Sequence, residues 1–216
     1  MKKKTLTETI LISTESSQVS LYENVLSTNE SASLVQELSS NIPWKIETDD
    51  FGAQTRPTCY YGDPNCIFTY VGLRLEPNPW HDSIKALRDK VATACGMDTS
   101  ILTACLVNKY PSEEGYIPWH YDEIRAHGES KIVASLSLGG PRRFCLRSRE
   151  NGAMIANLEL AQGSVLLMKG DVQENFEHCL PLDENKANPL RISLTFRSIV
   201  PGFEQGIEIA TDACCT

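Results

Sequence analysis

The second half of the chain consists of short apolar runs separated by turn residues, with no helical segment between them. Seven such runs follow Gly96: ILTACLVNKY, KIVASLSL, RRFCLRS, MIANLEL, SVLLM, FEHCL and LRISLTF. Runs of this length and spacing are typical of strands in an all-β fold, whereas a parallel sheet would need helices between its strands. The sequence therefore predicts an antiparallel sandwich or jelly roll.

Two helices are predicted before these strands. Ser27 and Glu30 fit a capping box, after which apolar residues recur at helical spacing. The second helix has stronger signals, with Asn78 as N-cap, Pro79 at the first helical position and Gly96 as the stop. We expect a mainly β (α+β) fold, a double-stranded β-helix or jelly roll with these N-terminal helices packed on its major sheet.

Length and composition indicate one domain with a segment at each end. The 216 residues are enough to bury a core, and 41% hydrophobic and 22% charged residues are ordinary for a globular protein. Residues 1–18 are rich in Thr, Ser, Glu and Lys without a period, so we expect a mobile N-terminal arm or a loosely attached strand. The domain is expected over residues 19–203, followed by a C-terminal tail over residues 204–216.

Composition also disfavours several classes of protein. No stretch approaches the roughly eighteen apolar residues of a membrane span, and the apolar run near the N-terminus is too short for a secretory signal. The eight cysteines include no CxxC pair, so we expect buried, reduced thiols. We therefore expect an intracellular protein, of the nucleus or cytoplasm, with no membrane partner. Because no dimerisation motif is legible, we expect a monomer.

The hexapeptide PWHYDE is the candidate metal-binding motif. In an extended strand, side chains at i and i+2 share a side, so His120 and Asp122 would face one metal ion together. Alone this pattern is weak, and it is also typical of a polar turn at a strand end. His178, at the end of another predicted strand, would complete a two-imidazole, one-carboxylate set that suits Fe(II). A rival pair, His127 and Glu129, lies in the polar segment IRAHGES, which we interpret as an exposed loop.

The strand RISLTFR is the candidate anion-binding element. Arg191, Ser193, Thr195 and Arg197 fall on one face of this predicted strand, and its apolar residues fall on the other. Two arginines that face an interior need anions, and a small dicarboxylate would offer a carboxylate to each through charge-assisted hydrogen bonds. The alternative interpretation is the solvent face of an amphipathic strand.

The order of these motifs resembles that of a known enzyme family. NKY, PWHYDE, IVASLSLGGPRRFCLR, GSVLLM, HCLP and RISLTFR, preceded by YYGD, FTYVGL and EPNPW, are similar to motifs of the AlkB family of Fe(II)/2-oxoglutarate dioxygenases. The resemblance extends over residues 55–200 and is nearest the eukaryotic-type AlkB homologues that demethylate alkylated DNA or RNA. It implies Fe(II) as cofactor, with 2-oxoglutarate and O2 as cosubstrates.

The resemblance also implies roles for individual residues. His120, Asp122 and His178 would bind the iron and form the catalytic centre. The implied cosubstrate-binding residues come from two strands: Asn108, Tyr110, Arg191, Ser193, Thr195 and Arg197. Arg191 and Tyr110 would hold the distal carboxylate, and Asn108 and Arg197 would lie near the end that chelates the metal. Ser193 departs from the family pattern, which has asparagine here, so one hydrogen bond near the cosubstrate is lost or replaced.

Three further residues match family positions around a flipped base. Phe68 and Tyr70 would offer aromatic faces for stacking, and Glu123 would read the amino edge of the base. For Phe68 and Tyr70 the alternative interpretation is ordinary strand core. Relatives often carry further acids after the position of Glu123, where this chain has Ile124, so the choice of base is left open.

The arginines of PRRFCLRSR are the candidate contacts to a nucleic-acid backbone. The net charge of −8 disfavours nonspecific binding to polyanions, so DNA or RNA binding requires a local basic surface. Arg142 and Arg143, with Arg147 and Arg149, would contact phosphates beside the pocket. The alternative interpretation is a solvated hairpin.

The function that the resemblance implies is oxidative demethylation of alkylated DNA or RNA bases of the 1-methyladenine or 3-methylcytosine type. The products would be the unmodified base, formaldehyde, succinate and CO2. Two alternatives stay open. One is a hydroxylase of a small metabolite or a protein side chain; the other is a jelly-roll binding module that has lost catalysis, against which the complete set of His120, Asp122 and His178 argues.

Overall fold

Strands form most of the regular structure. The structure, a computed structural model, describes residues 5–70, 72–111, 115–123, 125–182 and 189–203. Its helices are α1 (Thr28–Asn41), α2 (Asp82–Ala94) and α3 (Val172–Asn175). Its strands are β1 (Thr7–Ser13), β2 (Ser17–Glu23), β3 (Thr48–Asp49), β4 (Gly52–Ala53), β5 (Thr58–Gly62), β6 (Phe68–Tyr70), β7 (Leu73–Leu75), β8 (Ala104–Tyr110), β9 (Ile117–His120), β10 (Ile132–Gly139), β11 (Arg142–Ser148), β12 (Met154–Leu160), β13 (Val165–Gly170), β14 (Phe176–Leu180) and β15 (Arg191–Arg197). Single 3₁₀ turns occur at Thr99–Ile101 and Arg125–His127.

Two antiparallel sheets make the body of the molecule. The major sheet has seven strands in the order β1-β2-β13-β10-β15-β8-β5, and the minor sheet has four in the order β12-β11-β14-β9. Two short hairpins, β3-β4 and β6-β7, accompany them. Apolar residues of the facing strands, such as Val133 and Leu166 of the major sheet and Phe144 and Leu146 of the minor sheet, form one buried cluster between the sheets. The prediction of a mainly β, jelly-roll architecture is confirmed.

The other face of the major sheet is covered by α1 and α2. Leu38 of α1 and Ile84 and Val91 of α2 are fully buried against a sheet face that includes Val107 and Leu194. The predicted capping box of α1 is present, because the Ser27 side chain accepts from the Glu30 backbone while the Glu30 side chain accepts from the Ser27 backbone. The helices therefore occupy the place on the major sheet that the sequence predicts.

Helix α2 begins three residues later than predicted. Its N-cap is His81 rather than Asn78, because Asn78 is engaged with strand β5 instead. The Asn78 backbone N–H and its side-chain Nδ2 both donate to the carbonyl of Tyr60, at 2.9 and 2.8 Å, which keeps this segment extended. The stop signal was correct: the helix ends at Ala94, and Gly96 has a positive φ of 63° that favours glycine.

Of the two alternatives for the N-terminal segment, a mobile arm and an attached strand, residues 7–18 do not form a mobile arm. Strand β1 pairs with β2 in an antiparallel register that shifts once, between Ile10 and Ile12, and β2 continues the ladder to β13, so the hairpin forms the edge of the major sheet. The polar residues of β1 are exposed, while Ile12 is buried between the two sheets. The domain therefore begins before residue 19. Residues 1–4 and the predicted tail, residues 204–216, lie outside the described residues.

Two further expectations concern membranes and disulfides. Among the described helices, none combines the length and the apolar composition that crossing a bilayer requires. The six described cysteines are buried and none forms a disulfide, as predicted.

Candidate active site

A cavity of about 670 Å³ lies between the two sheets. Its walls come from the face of the major sheet that the helices leave uncovered, from the inner face of the minor sheet and from the β3-β4 and β6-β7 hairpins. The volume is in the range of pockets that bind small ligands. The predicted metal-binding and anion-binding residues all line this one cavity.

His120, Asp122 and His178 converge in the cavity wall. His120 ends β9 and is directly opposite His178 of β14 in the antiparallel register, with the two ring centroids 4.3 Å apart. Asp122 follows two residues after His120. One potential ligand atom from each of the three residues lies within 4.8 Å of the other two. The three predicted ligands are therefore brought together.

Hydrogen bonds orient these side chains. His120 Nδ1 lies 2.8 Å from the Pro118 carbonyl, so this nitrogen carries the proton and Nε2 keeps its lone pair. Arg197 donates from Nε and Nη2 to Asp122 Oδ2 at 3.0 and 2.8 Å, and both side chains are buried. Asp122 Oδ1 is left on the side of His120, 4.0 Å from Nε2. The lone pairs that a metal ion needs therefore point to a common region.

The protonation states also suit a metal ion. Burial lowers the pKa of both imidazoles, that of His178 to about 3, where the neighbouring His120 contributes as well. Burial alone would raise the pKa of Asp122, but the Arg197 guanidinium and then the two imidazoles outweigh it and hold that pKa below its ordinary range. At neutral pH the set is two neutral imidazoles and one carboxylate, the form that binds a divalent ion.

A buried atom without a partner supports the fit. His178 Nδ1 is buried, and no hydrogen-bond partner for it occurs in the described part of the chain. Buried polar groups are rarely left unsatisfied in native proteins, so such an atom points to a missing ligand or water. Two imidazoles and one carboxylate on one side of an ion leave further positions open, as Fe(II) oxygenases require. The residues present therefore fit a bound Fe(II).

Arg191 is the second unsatisfied group. It is 1% exposed; its Nη2 donates to Ser137 Oγ at 2.9 Å, and its guanidinium lies over the Tyr110 ring at 4.9 Å. Its Nε and Nη1 are buried and have no partner among the described residues. Burial lowers its pKa, yet a guanidinium keeps its charge in proteins. A buried cation with unpaired donors in the cavity wall fits a carboxylate such as that of 2-oxoglutarate.

The remaining predicted cosubstrate residues share this wall. In the register of the major sheet, Ser193 lies opposite both Asn108 of β8 and Ser137 of β10. Thr195 lies two residues further along β15, on the same face of the strand. Asn108, Ser193 and Thr195 all line the cavity, so the polar face of β15 faces the interior and not solvent. Asn108 Oδ1 accepts a hydrogen bond from Arg56 Nε at 2.8 Å.

The predicted base-binding residues divide into two kinds. Phe68 is only 2% exposed and packs on Tyr60, on Tyr70 at a centroid distance of 5.2 Å, and under the Arg197 guanidinium. Phe68 is therefore buried in the core, and it also lines the cavity. Tyr70 is half-buried in the wall, where its hydroxyl hydrogen-bonds Gln54, and Glu123 is a half-buried lining residue.

The predicted basic surface differs from what the structure shows. Arg142 is buried and donates to the carbonyls of Pro141 and Pro189, so it is not on the surface. Arg143 is exposed and lies opposite Glu159 of β12, and neither arginine is among the described residues that line the cavity. Alternation along β11 explains the difference, because successive side chains point to opposite faces of the sheet.

The other two arginines of that segment stack on aromatic rings beside the metal-binding residues. Arg147 lies 4.1 Å over Trp119 and pairs with Glu177, and Arg149 lies 3.9 Å over Tyr121. Both are thereby used to hold neighbouring elements in place.

Sequence reasoning missed two residues near the site. Arg56 precedes β5 in an unremarkable loop, and only its contact with Asn108 reveals it. His127, interpreted as part of an exposed loop, is 1% exposed, and neither ring nitrogen has a partner among the described residues. Burial lowers its pKa to about 4. The polar composition of its segment gave no signal of this burial.

An oxygenase that uses iron and a 2-oxo acid requires such a metal set in one cavity with a buried arginine, and here Nε and Nη1 of Arg191 have no partner among the described residues. A family model described as the 2OG-Fe(II) oxygenase superfamily matches residues 18–197. The chain belongs to this superfamily. Fe(II) is therefore its cofactor, and 2-oxoglutarate and O2 are its cosubstrates.

Individual relatives agree with the AlkB resemblance. Alpha-ketoglutarate-dependent dioxygenase alkB homolog 3 of Homo sapiens is 31% identical over 198 residues, covering 86% of this chain and 67% of that protein. DNA oxidative demethylase ALKBH2 of Bos taurus is 31% identical over 153 residues, covering 68% of this chain and 54% of that protein. The structure of OsALKBH1 matches with a TM-score of 0.55 at 20% identity, covering 83% of this chain and 97% of that chain, which shows the fold alone.

Proposed function

We propose that this chain is an oxidative demethylase of N-alkylated nucleic-acid bases, of the 1-methyladenine or 3-methylcytosine type. The observation that carries the oxygenase chemistry is the buried Arg191, with two nitrogens that lack a partner in the described part of the chain, in the same cavity as the His120, Asp122 and His178 cluster. The choice of substrate is supported by the relatives, since one is named a DNA oxidative demethylase and aligns over 68% of this chain.

The assignment of binding roles follows from the unsatisfied groups. His120, Asp122 and His178 would hold Fe(II). Arg191, beside Tyr110, would bind the distal carboxylate of 2-oxoglutarate, and the polar residues further along the same wall would lie towards the metal: Asn108, Ser193, Thr195 and Arg197. Bound iron and 2-oxoglutarate supply O2 activation, with one oxygen atom entering a C–H bond of the substrate and the other entering succinate as CO2 leaves.

The protein contributes orientation, charge and exclusion of water. Arg197 keeps the Asp122 carboxylate ionised and turned toward the histidines. The sheet walls bury the Arg191 and Asp122 charges, where their interactions with ligands are stronger than in water. Once the N-methyl group of a base has been hydroxylated, the resulting hydroxymethyl group leaves as formaldehyde and the unmodified base remains.

The substrate would enter the cavity as a flipped base. Tyr70 offers a half-buried aromatic ring and Glu123 a half-buried carboxylate, the two kinds of group that stack on a base and read its amino edge. Phe68 also lines the cavity, and it would support Tyr70 and Arg197, against which it packs. Arg143 remains our predicted phosphate contact because it is exposed, whereas Arg142 is buried. An Arg143→Ala variant would then reduce the salt dependence of oligonucleotide binding.

The deciding experiment follows methylated oligonucleotides by intact mass. Short single and double strands that carry 1-methyladenine or 3-methylcytosine are incubated with Fe(II), ascorbate and 2-oxoglutarate, and succinate is measured in parallel. We expect loss of the methyl group in the wild type and in His81→Ala, a matched histidine variant outside the cavity, and no loss in His120→Ala. Succinate release without demethylation would contradict the proposed substrate and favour a small molecule or a protein side chain.

We also propose that the protein acts as an intracellular monomer. The absence of a legible dimerisation motif in the sequence supports the monomer. Light scattering at several protein concentrations tests it, since a mass of twice 24.0 kDa would contradict it.

A further inference from the structure

Asp122 lies in a segment with little backbone support. Strand β9 ends at His120, and residues 121–123 have no regular secondary structure. Even β9 itself is matched to β14 at only two positions, with an irregularity between them. The backbone ladder therefore does not fix the position of Asp122, and other contacts must do so.

One such contact comes from Gln173 in the short helix α3. The Asp122 backbone N–H donates to Gln173 Oε1 at 2.9 Å, a contact between residues 51 positions apart. Gln173 is 3% exposed, and its Nε2 lies 3.4 Å from Met168 Sδ. The buried Gln173 amide, by accepting this hydrogen bond, fixes the backbone position of Asp122 and therefore the position of its Cα.

Arg149 contacts both helix α3 and the segment that carries Asp122. Its Nη1 donates to the carbonyls of Gln173 and Glu174, at 3.1 and 2.9 Å, where helix α3 ends. Its guanidinium also stacks on Tyr121, the residue before Asp122. Arg149 thus ties α3 to the segment that carries Asp122, which keeps Gln173 within reach of the Asp122 N–H.

We propose that Gln173, supported by Arg149, is a positioning residue for the Asp122 carboxylate. Asp122 is held at two points: Gln173 fixes its backbone, and Arg197 fixes Oδ2. Only Oδ1 is left toward His120. The inference rests on the proposed role of Asp122 as a metal ligand, and it adds an outer hydrogen bond of the kind that tunes metal affinity.

The test measures metal affinity without turnover, by titrating the metal-free protein with Mn(II) and following the free ion by electron paramagnetic resonance. Gln173→Leu removes the acceptor at similar volume, and Gln173→Glu keeps an oxygen acceptor. Asn175→Leu is the matched control, because Asn175 lies in the same helix but its side chain contacts Ser17 Oγ instead. Thermal unfolding of each variant is recorded to separate stability from affinity.

We expect Gln173→Leu to weaken Mn(II) binding by about tenfold and Gln173→Glu to stay within about threefold of wild type. Asn175→Leu should bind Mn(II) like wild type even where it unfolds at a lower temperature. Wild-type affinity in Gln173→Leu, or equal weakening in Asn175→Leu, would overturn the inference. If Gln173→Leu does not fold, Arg149→Met replaces it and should weaken binding in the same direction.

A separate variant distinguishes the inference from the role on which it rests. Asp122→Ala should abolish Mn(II) binding. If it binds like wild type, Asp122 is not a ligand and both ideas fail together. If Asp122→Ala loses the ion while Gln173→Leu keeps it, only the positioning role of Gln173 fails.

Discussion

The two faces of strand β15 have opposite chemistry. Ile192, Leu194 and Phe196 are fully buried under the helices, where the apolar cluster of the major sheet contains no charged side chain among its described members. Arg191 and Arg197 are nearly as buried on the opposite face, but they line the cavity. One strand therefore supplies core packing on one side and the charged lining of the cavity on the other, so we expect alternate residues to separate effects on stability from effects on ligand binding.

The two arginines differ as well. Arg197 has a carboxylate partner within the chain, Asp122, whereas Arg191 donates to Ser137 Oγ and its Nε and Nη1 have no partner among the described residues. Breaking a buried ion pair destabilises the protein, because one buried charge is left without its partner. A buried charge that has no partner lowers the stability of the protein as long as no ligand is bound. We therefore expect Arg197 to contribute to the architecture and Arg191 to bind a ligand.

The largest effect on stability is expected from Arg197→Met. The substitution leaves the buried Asp122 carboxylate without its two hydrogen bonds, and breaking a buried pair in this way costs about 3–5 kcal/mol. Urea unfolding of the metal-free protein measures the loss. A loss as small as that of a surface substitution would show that Asp122 is stabilised by other groups.

Leu194→Ala tests the helix-covered face of the same strand. Removing a fully buried leucine from a packed core costs about 2–5 kcal/mol in the free energy of unfolding. The KM for 2-oxoglutarate of the remaining folded protein should not change, because Leu194 points away from the cavity. Thr195→Ala is the control for stability, because Thr195 is the next residue along β15 but lies on the face that lines the cavity. A large rise in KM for Leu194→Ala would refute the separation of the two faces.

Arg191→Met should affect the cosubstrate and spare the fold. Losing two charge-assisted hydrogen bonds of about 1.5–3 kcal/mol each should raise the KM for 2-oxoglutarate by about 100-fold to 10,000-fold. The metal-free variant should be as stable as wild type or more stable, because an unpaired buried charge is removed. Succinate release and thermal unfolding measure the two quantities, with the exposed Arg143→Met as control. Strong destabilisation would mean that Arg191 has an architectural role.

Ser27→Ala should have the smallest effect, about 1 kcal/mol, because it removes the N-cap of α1 far from the cavity. The hydrogen bond from Lys90, followed by those from Ser27, lowers the pKa of Glu30 from 4.5 to about 2. A lowered carboxyl pKa stabilises the fold above the ordinary pKa, and this contribution is lost as the pH falls from 4.5 towards 2. The stability difference between wild type and Ser27→Ala should shrink over that range in acid unfolding. A constant difference would show that Glu30 does not contribute.

Local patterns predicted the parts of the site that depend on local geometry. Alternation along RISLTFR separated Arg191 and Arg197 from the apolar residues, and the two-residue spacing placed His120 beside Asp122. Both results need only the period of a strand. Which face of β15 is internal could not be decided by alternation, because both faces turned out to be buried.

Contacts between distant segments explain what the sequence could not predict. Gln173 reaches Asp122 across 51 positions, and Arg56 reaches Asn108 across 52. No periodicity links such residues, since only the folded sheets bring them together. The sequence left β1 open between a mobile arm and an attached strand, because β1 is an edge strand whose polar residues are exposed and its composition resembles that of a loop.

The central claim is that the minor sheet and its adjoining segment bind the metal while the major sheet binds the cosubstrate in one cavity. Mn(II) electron paramagnetic resonance of wild type, His178→Ala and Arg191→Met, with and without 2-oxoglutarate, tests it most directly. We predict that His178→Ala loses the ion, and that Arg191→Met binds it with wild-type affinity. In Arg191→Met the spectrum should not respond to concentrations of 2-oxoglutarate that change the wild-type spectrum. Wild-type Mn(II) affinity in His178→Ala, or a wild-type response to 2-oxoglutarate in Arg191→Met, would contradict the account.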